Sequence, residues 1–104
     1  MNYEVYQLKT EFEGSKYMLF ATYDLVESLG MCKKIARENY EKVYCGEIDH
    51  IGDIYETMDK VFVELNLEKP KSYCGHSLSV SDIITINGES YYVDGYGFVK
   101  LENF

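Results

Sequence analysis

Apolar positions alternate at the start of the chain, switch to helical spacing in its middle, and alternate again toward its end. Residues 3–9 (YEVYQLK) alternate and are rich in aromatic and β-branched side chains, which predicts a strand. Residues 13–16 (EGSK) predict a turn, and residues 17–23 (YMLFATY) a second strand paired with the first as a hairpin. Asp24 then reads as a helix N-cap, with Glu27 three residues on as in a capping box. Leu25, Val26 and Leu29 supply a short apolar stripe near residues 24–29, and Gly30 suits its end. An alternative is a helix that restarts and runs to about Asn39. Residues 40–48 (YEKVYCGEI) predict a strand interrupted near Gly46.

The clearest helix covers about residues 52–67, where Ile54, Met58, Val61, Phe62 and Leu65 recur at helical spacing and predict its core face. Asp53, Glu56 and Glu64 fall on the other side, with Asp59 near them, and Pro70 ends the element. Residues 82–86 (DIITI), then Asn87-Gly88, then residues 91–94 (YYVD) predict a β-hairpin, because both residues of such a turn take positive φ. Asp94-Gly95 marks another turn, and residues 96–101 (YGFVKL) complete a three-stranded C-terminal meander. The fold class expected is α+β: an antiparallel sheet with that meander, one principal helix at about 52–67 and a short helix near 24–29.

A chain of 104 residues without repeats, low-complexity runs or a linker is one domain with one core. Eleven tyrosines, with five phenylalanines and no tryptophan, are more than a small core is expected to absorb, so many should be at least partly exposed. The formal charge is −8, from 18 acids against 10 bases, which argues against unaided binding of nucleic acid or an anionic membrane. It suits a protein partner with a basic surface, or solubility alone. Three widely spaced cysteines make no disulfide framework. Residues 1–4 do not open as a signal peptide, and no apolar run approaches membrane-spanning length, so the expected location is cytoplasmic.

Candidate chemistry is sparse. His76, Ser77, Ser79, Ser81 and Asp82 hold the residue types of a Ser-His-Asp triad, but neighbours in a loop rarely reach triad geometry. Side chains that tie a tight turn to its own backbone account for them better. Cys45, His50, Cys74 and His76 lack the local ligand pairs of a structural zinc site. No Gly-rich phosphate loop is present, and Gly95 and Gly97 read as turn glycines. No metal, cofactor or catalytic residue is therefore expected, and the chain is read as non-enzymatic. Lys33, Lys34 and Arg37 form the one basic cluster, read as a solvated face. Between Glu38 and Glu68 nine carboxylates stand against Lys42 and Lys60, so this stretch carries nearly the whole net charge. The candidate partner-binding residues are Glu47, Asp49, Asp53, Glu56, Asp59 and Glu64 from this stretch, with His76, Ser79 and Asp82 from the loop.

The opening YEVYQLK, the later NYEKVYCGEI and the segment GHSLSVSDIITINGESYYVDGYGF together resemble the YodL-like domain. The last is the most specific: Gly75 to Asp82, the apolar strand 83–86, Tyr91 to Asp94, and Gly97-Phe98. The stretch 31–38 departs from the pattern by being longer and more basic. The resemblance implies an accessory module of bacterial mobile elements, associated with the protection of incoming DNA. It carries no agreed catalytic residues. With the acidic stretch, it implies an inhibitor of anti-CRISPR or anti-restriction type, acting by protein contact as a DNA mimic. The alternative is a regulatory or scaffolding module for a replication or transfer protein of the same element.

Overall fold

The computed structural model describes residues 1–49 and 52–104. Five strands form one antiparallel sheet in the order β2-β1-β3-β4-β5, with β1 at Asn2–Leu8, β2 at Tyr40–Glu47, β3 at Ile83–Ile86, β4 at Glu89–Val93 and β5 at Phe98–Leu101. Helices α1 (Ser15–Met18), α2 (Tyr23–Ser28) and α3 (Ile54–Leu67) flank it. The α+β class, the principal helix and the C-terminal meander are as the sequence predicts.

Strand alternation divides the sheet into two buried faces. Tyr3, Val5, Ile84, Ile86, Tyr91 and Val93 pack in one cluster with Met58, Val61 and Leu65 of α3. Tyr6, Leu8, Ile83 and Tyr92 point to the other face and meet Met18, Ala21, Val26 and Ile35. Asp53 caps α3 as its side chain accepts from the Glu56 N–H at 2.9 Å. Ile54 and Phe62 are only partly buried, at the rim of the core face.

The β3–β4 hairpin turns on Asn87 and Gly88, both at positive φ (54° and 77°). Gly88→Ala places a Cβ in this left-handed conformation and is expected to destabilise by about 1 kcal/mol, read from a urea titration. There is open space around the position, so the loss is backbone strain rather than collision.

Several expectations fail. Residues 17–23 form no strand. Both edges of β1 are taken by partners distant in sequence, β2 on one side and β3 on the other, so no edge remains for a local hairpin. The apolar run instead covers the second sheet face through Met18 and Ala21. The cap of α2 is Thr22, whose hydroxyl accepts from Leu25 N–H, and Asp24 sits in the first turn. Of its predicted stripe only Val26 is buried, with Leu25 and Leu29 exposed, while Gly30 does end the segment at φ 70°. The chain then makes two 3₁₀ turns, Cys32–Lys34 and Arg37–Asn39, instead of a restarted helix. Finally, β2 runs unbroken through Gly46. Its irregularity is at Val43, skipped in the register between Val5↔Tyr44 and Tyr6↔Lys42.

The tyrosines are more buried than their number suggested. Tyr3, Tyr6, Tyr40, Tyr73, Tyr91 and Tyr92 are core residues. Their hydroxyls find partners there, such as the Ala21 carbonyl for Tyr92 at 2.6 Å and the Ser81 carbonyl for Tyr40 at 3.2 Å. In the basic cluster Lys33 and Lys34 are solvated, whereas the Arg37 guanidinium stacks between the rings of Tyr6 and Phe104 at 4.7 and 4.8 Å. Arg37 therefore pins the C-terminal residue to the second sheet face.

Candidate functional site

The predicted site residues separate into two places, one open and one closed. Glu47, Asp49, Asp53, Glu56, Asp59 and Glu64 are all exposed. Glu47 ends β2, and Asp49 follows it. Both line a shallow depression of about 330 Å³ with Glu64 and Lys60 of α3 and with Met1. The N-terminal amine is held there by the Ile48 carbonyl at 2.7 Å, and Lys60 pairs with Glu64 at 3.8 Å.

The outward face of α3 is not purely acidic. Glu56, Lys60, Val63 and Leu67 recur at i, i+4, i+7 and i+11, so they form one ridge. Val63 is 52% exposed and Leu67 82% exposed, and Tyr55 projects beside them at 45%. Sequence reasoning missed these apolar positions because it read the core stripe and assigned the remainder of the helix to its carboxylates.

The closed place is the loop between α3 and β3. Asp82 is fully buried, and its Oδ2 accepts from the Ser79 N–H at 2.8 Å and from Gln7 Nε2 at 3.0 Å. Gln7 also donates to the His76 carbonyl at 2.9 Å and accepts from the His76 N–H at 3.1 Å. A flipped amide would set oxygen against two acceptors, so the network fixes its orientation. Tyr73 OH lies 3.1 Å from the same amide nitrogen. Gly75 lets the loop approach this closely, because a Cβ there would stand 2.0 Å from Gln7 Oε1. Burial pushes the Asp82 carboxyl up to about 8, against the opposing hydrogen bonds from Ser79 and Gln7. Burial likewise raises the Tyr73 and Tyr40 hydroxyls.

His76 is exposed, and its Nδ1 also lies 3.2 Å from Gln7 Nε2. Nδ1 lies 2.8 Å from the Ser77 carbonyl, and Nε2 faces Asp82 Oδ1 at 3.8 Å. Ser79 Oγ is buried without a hydrogen-bond partner among the described residues. Asp82 thus tethers the loop from within and is closed to a partner, and Gln7, which no motif singled out, is the centre of the network. Ser81 bears on it too: at φ 85° it accepts from the Phe20 N–H at 3.0 Å, and Phe20 itself sits at φ 62° with its ring edge-on to His76 at 5.4 Å. Among the described residues no group of three His, Cys, Asp or Glu side chains could hold a metal ion, and His50 lies outside those residues. Nor is any helix among them long and apolar enough to cross a membrane.

Fold and site define a small α+β domain with an acidic helix face and a closed polar loop. The family model for the YodL-like domain matches residues 2–104, and the chain belongs to that family. No curated protein and no solved structure matches it.

Proposed function

We propose that this domain is a non-enzymatic binding module that docks α3 and the adjoining end of β2 on a basic surface of a protein. The partner in this reading is a host nuclease of a nucleic-acid-targeting defence system, blocked by contact and not by turnover. The observation that carries the proposal is the mixed character of the α3 ridge. Carboxylates steer the encounter with a basic channel, and Val63, Leu67 and Tyr55 offer the apolar area that a protein contact uses and a phosphate imitation alone does not. The backbone contact of His76 Nδ1 and the burial of Asp82 favour binding over catalysis at the loop. The resemblance to modules of mobile elements supplies the class of partner.

Cutting of plasmid DNA by guide-loaded Cas9, and by a type I restriction enzyme beside it, is expected to fall at near-stoichiometric protein in physiological salt. Neutralising Glu47, Asp49, Asp53, Glu56 and Asp59 together should weaken inhibition by at least about 100-fold, as close charge pairs across such interfaces each carry more than 1 kcal/mol. Asp53 is changed to Asn, which retains the helix cap. Undiminished inhibition by that variant rules out the acidic face.

A second reading draws on a different surface. Phe20 is 57% exposed at its strained position and Tyr96 is 100% exposed in the β4–β5 turn, so aromatic side chains are exposed beside the loop and the meander. A regulatory or scaffolding role toward a replication or transfer protein of the same element would use these. Affinity capture from cells with and without the element separates the two: an element-encoded partner favours scaffolding, a host nuclease favours inhibition.

A further inference from the structure

We propose that the groove between β2 and the C-terminal half of α3 holds one arginine side chain of the docked partner, a step that rests on the docking reading of this face. The groove has a volume of about 400 Å³, within the range of pockets that take a small ligand. Tyr3, Tyr44 and Glu47 line it from the sheet, and Glu64, Leu67 and Glu68 line it from α3 and its C-terminal cap. Among the described residues its lining includes three carboxylates and no lysine or arginine. Glu47 and Glu68 make no ion pair among those residues, and Glu64 has only the exposed Lys60 at 3.8 Å.

The aromatic wall is held in place by the fold. The ring centroids of Tyr3 and Tyr44 are 6.0 Å apart at 53°, and Tyr44 in turn packs on Tyr73 at 5.7 Å. Gly46 makes room for both rings, since a Cβ there would stand 2.8 Å from Tyr44 Cε2 and 3.1 Å from the Tyr3 hydroxyl. Tyr3 is 5% exposed, so the core fixes its ring while the residue still lines the groove. Burial pushes its hydroxyl up to about 12, with Tyr44 and Glu64 adding to the rise, so it stays neutral at physiological pH. The negative charge of the groove therefore comes from the carboxylates, set beside a fixed aromatic wall.

Rings together with carboxylates select a cation that stacks and donates hydrogen bonds at once. A guanidinium does both, because it is planar and carries five N–H donors, whereas an ammonium is a compact and more strongly hydrated charge. The chain already pairs cations with its own rings elsewhere. The Arg37 guanidinium lies between Tyr6 and Phe104 at 4.7 and 4.8 Å, and Lys69 Nζ stands 5.3 Å from the Tyr73 centroid. Lys69 donates to the Gly75 carbonyl at 3.3 Å and pairs with none of the three carboxylates.

The test uses the whole chain and a capped Gly-Arg-Gly peptide, with citrulline and lysine counterparts. In an NMR titration at physiological salt the arginine peptide should move the Tyr3 and Tyr44 ring signals to saturation. The citrulline peptide keeps the shape and loses the charge, and it should bind about tenfold more weakly, with the lysine peptide about fivefold more weakly. Tyr44→Leu retains every carboxylate and should weaken arginine binding about fivefold. Gly46→Ala displaces the rings without removing them and should also weaken it. A wild-type chain whose Tyr3 and Tyr44 signals do not respond overturns the proposal, as do citrulline or lysine peptides that bind as tightly as the arginine peptide. So does arginine binding that both variants leave unchanged, which is the result for attraction to the net charge alone. The nuclease assay reads the docking separately. Inhibition by a chain that binds no arginine peptide removes the groove and leaves the docking face, whereas peptide binding without inhibition supports the groove and removes the nuclease.

Discussion

Gln7→Leu should lose about 3–5 kcal/mol of stability, a third or more of what a domain of this size possesses. The leucine fills a similar volume, so the loss is almost entirely polar. Three groups that Gln7 serves are left without it: the His76 N–H, the His76 carbonyl and Asp82 Oδ2. Each buried group deprived of its partner costs about 1–3 kcal/mol, and the nearness of the solvent-exposed His76 lets water recover part of this. The expected signature is a lower urea midpoint with an unchanged slope, because the surface exposed on unfolding stays the same. Gln7→Glu should be as damaging at neutral pH, since it removes the amide donor and brings a second carboxyl against Asp82. A loss below 1 kcal/mol for Gln7→Leu would mean that the loop is held by Tyr73 and Leu78 packing and not by the polar network.

Tyr92→Ala should cost about 3–5 kcal/mol, the range for truncating a fully buried aromatic side chain. Tyr92 is 0% exposed at the centre of the second sheet face. Its ring meets Tyr23 edge-on at 5.6 Å, and its hydroxyl holds the Ala21 carbonyl, so one side chain fastens the α1–α2 layer to the sheet. The milder Tyr92→Phe retains the packing and leaves the Ala21 carbonyl unpaired, for a loss of about 1–3 kcal/mol. Calorimetry distinguishes the two contributions: a Phe variant as unstable as the Ala variant would place the whole effect in the hydrogen bond. Neither substitution touches α3. A folded Phe variant should therefore keep the binding proposed for that helix, which separates loss of stability from loss of the docking surface.

The two substitutions also show what local pattern conveys. Tyr92 lies in an alternating segment beside an Asn-Gly turn, and both strand and turn were legible because their signals are local: side-chain periodicity and positive φ at Asn87 and Gly88. The α3 helix was legible for the same reason, down to Met58, Val61 and Leu65 of its core face. Residues 17–23 were misread because their apolar run suits a strand in isolation. Whether a strand forms there depends on a free edge of β1, and sequence-distant pairing with β2 and β3 removes it.

The candidate site divides the same way. Exposure of the acids followed from the helix period once the core stripe was known, and the exposed Val63 and Leu67 were implicit in the same period. The coupling of Gln7 to His76 and Asp82 spans 69 and 75 residues of chain and has no periodic trace. Nor does any pattern distinguish an aspartate that faces solvent from one buried under a loop. By itself the sequence determined the fold class, the principal helix, the C-terminal meander and the acid-rich stretch, which rest on composition or on spacing within a few turns, and the family, which rests on the resemblance of its segments. Only the tertiary structure decided the strand order, the burial of six tyrosines and the closed polar loop, because those depend on which distant residues the chain brings together.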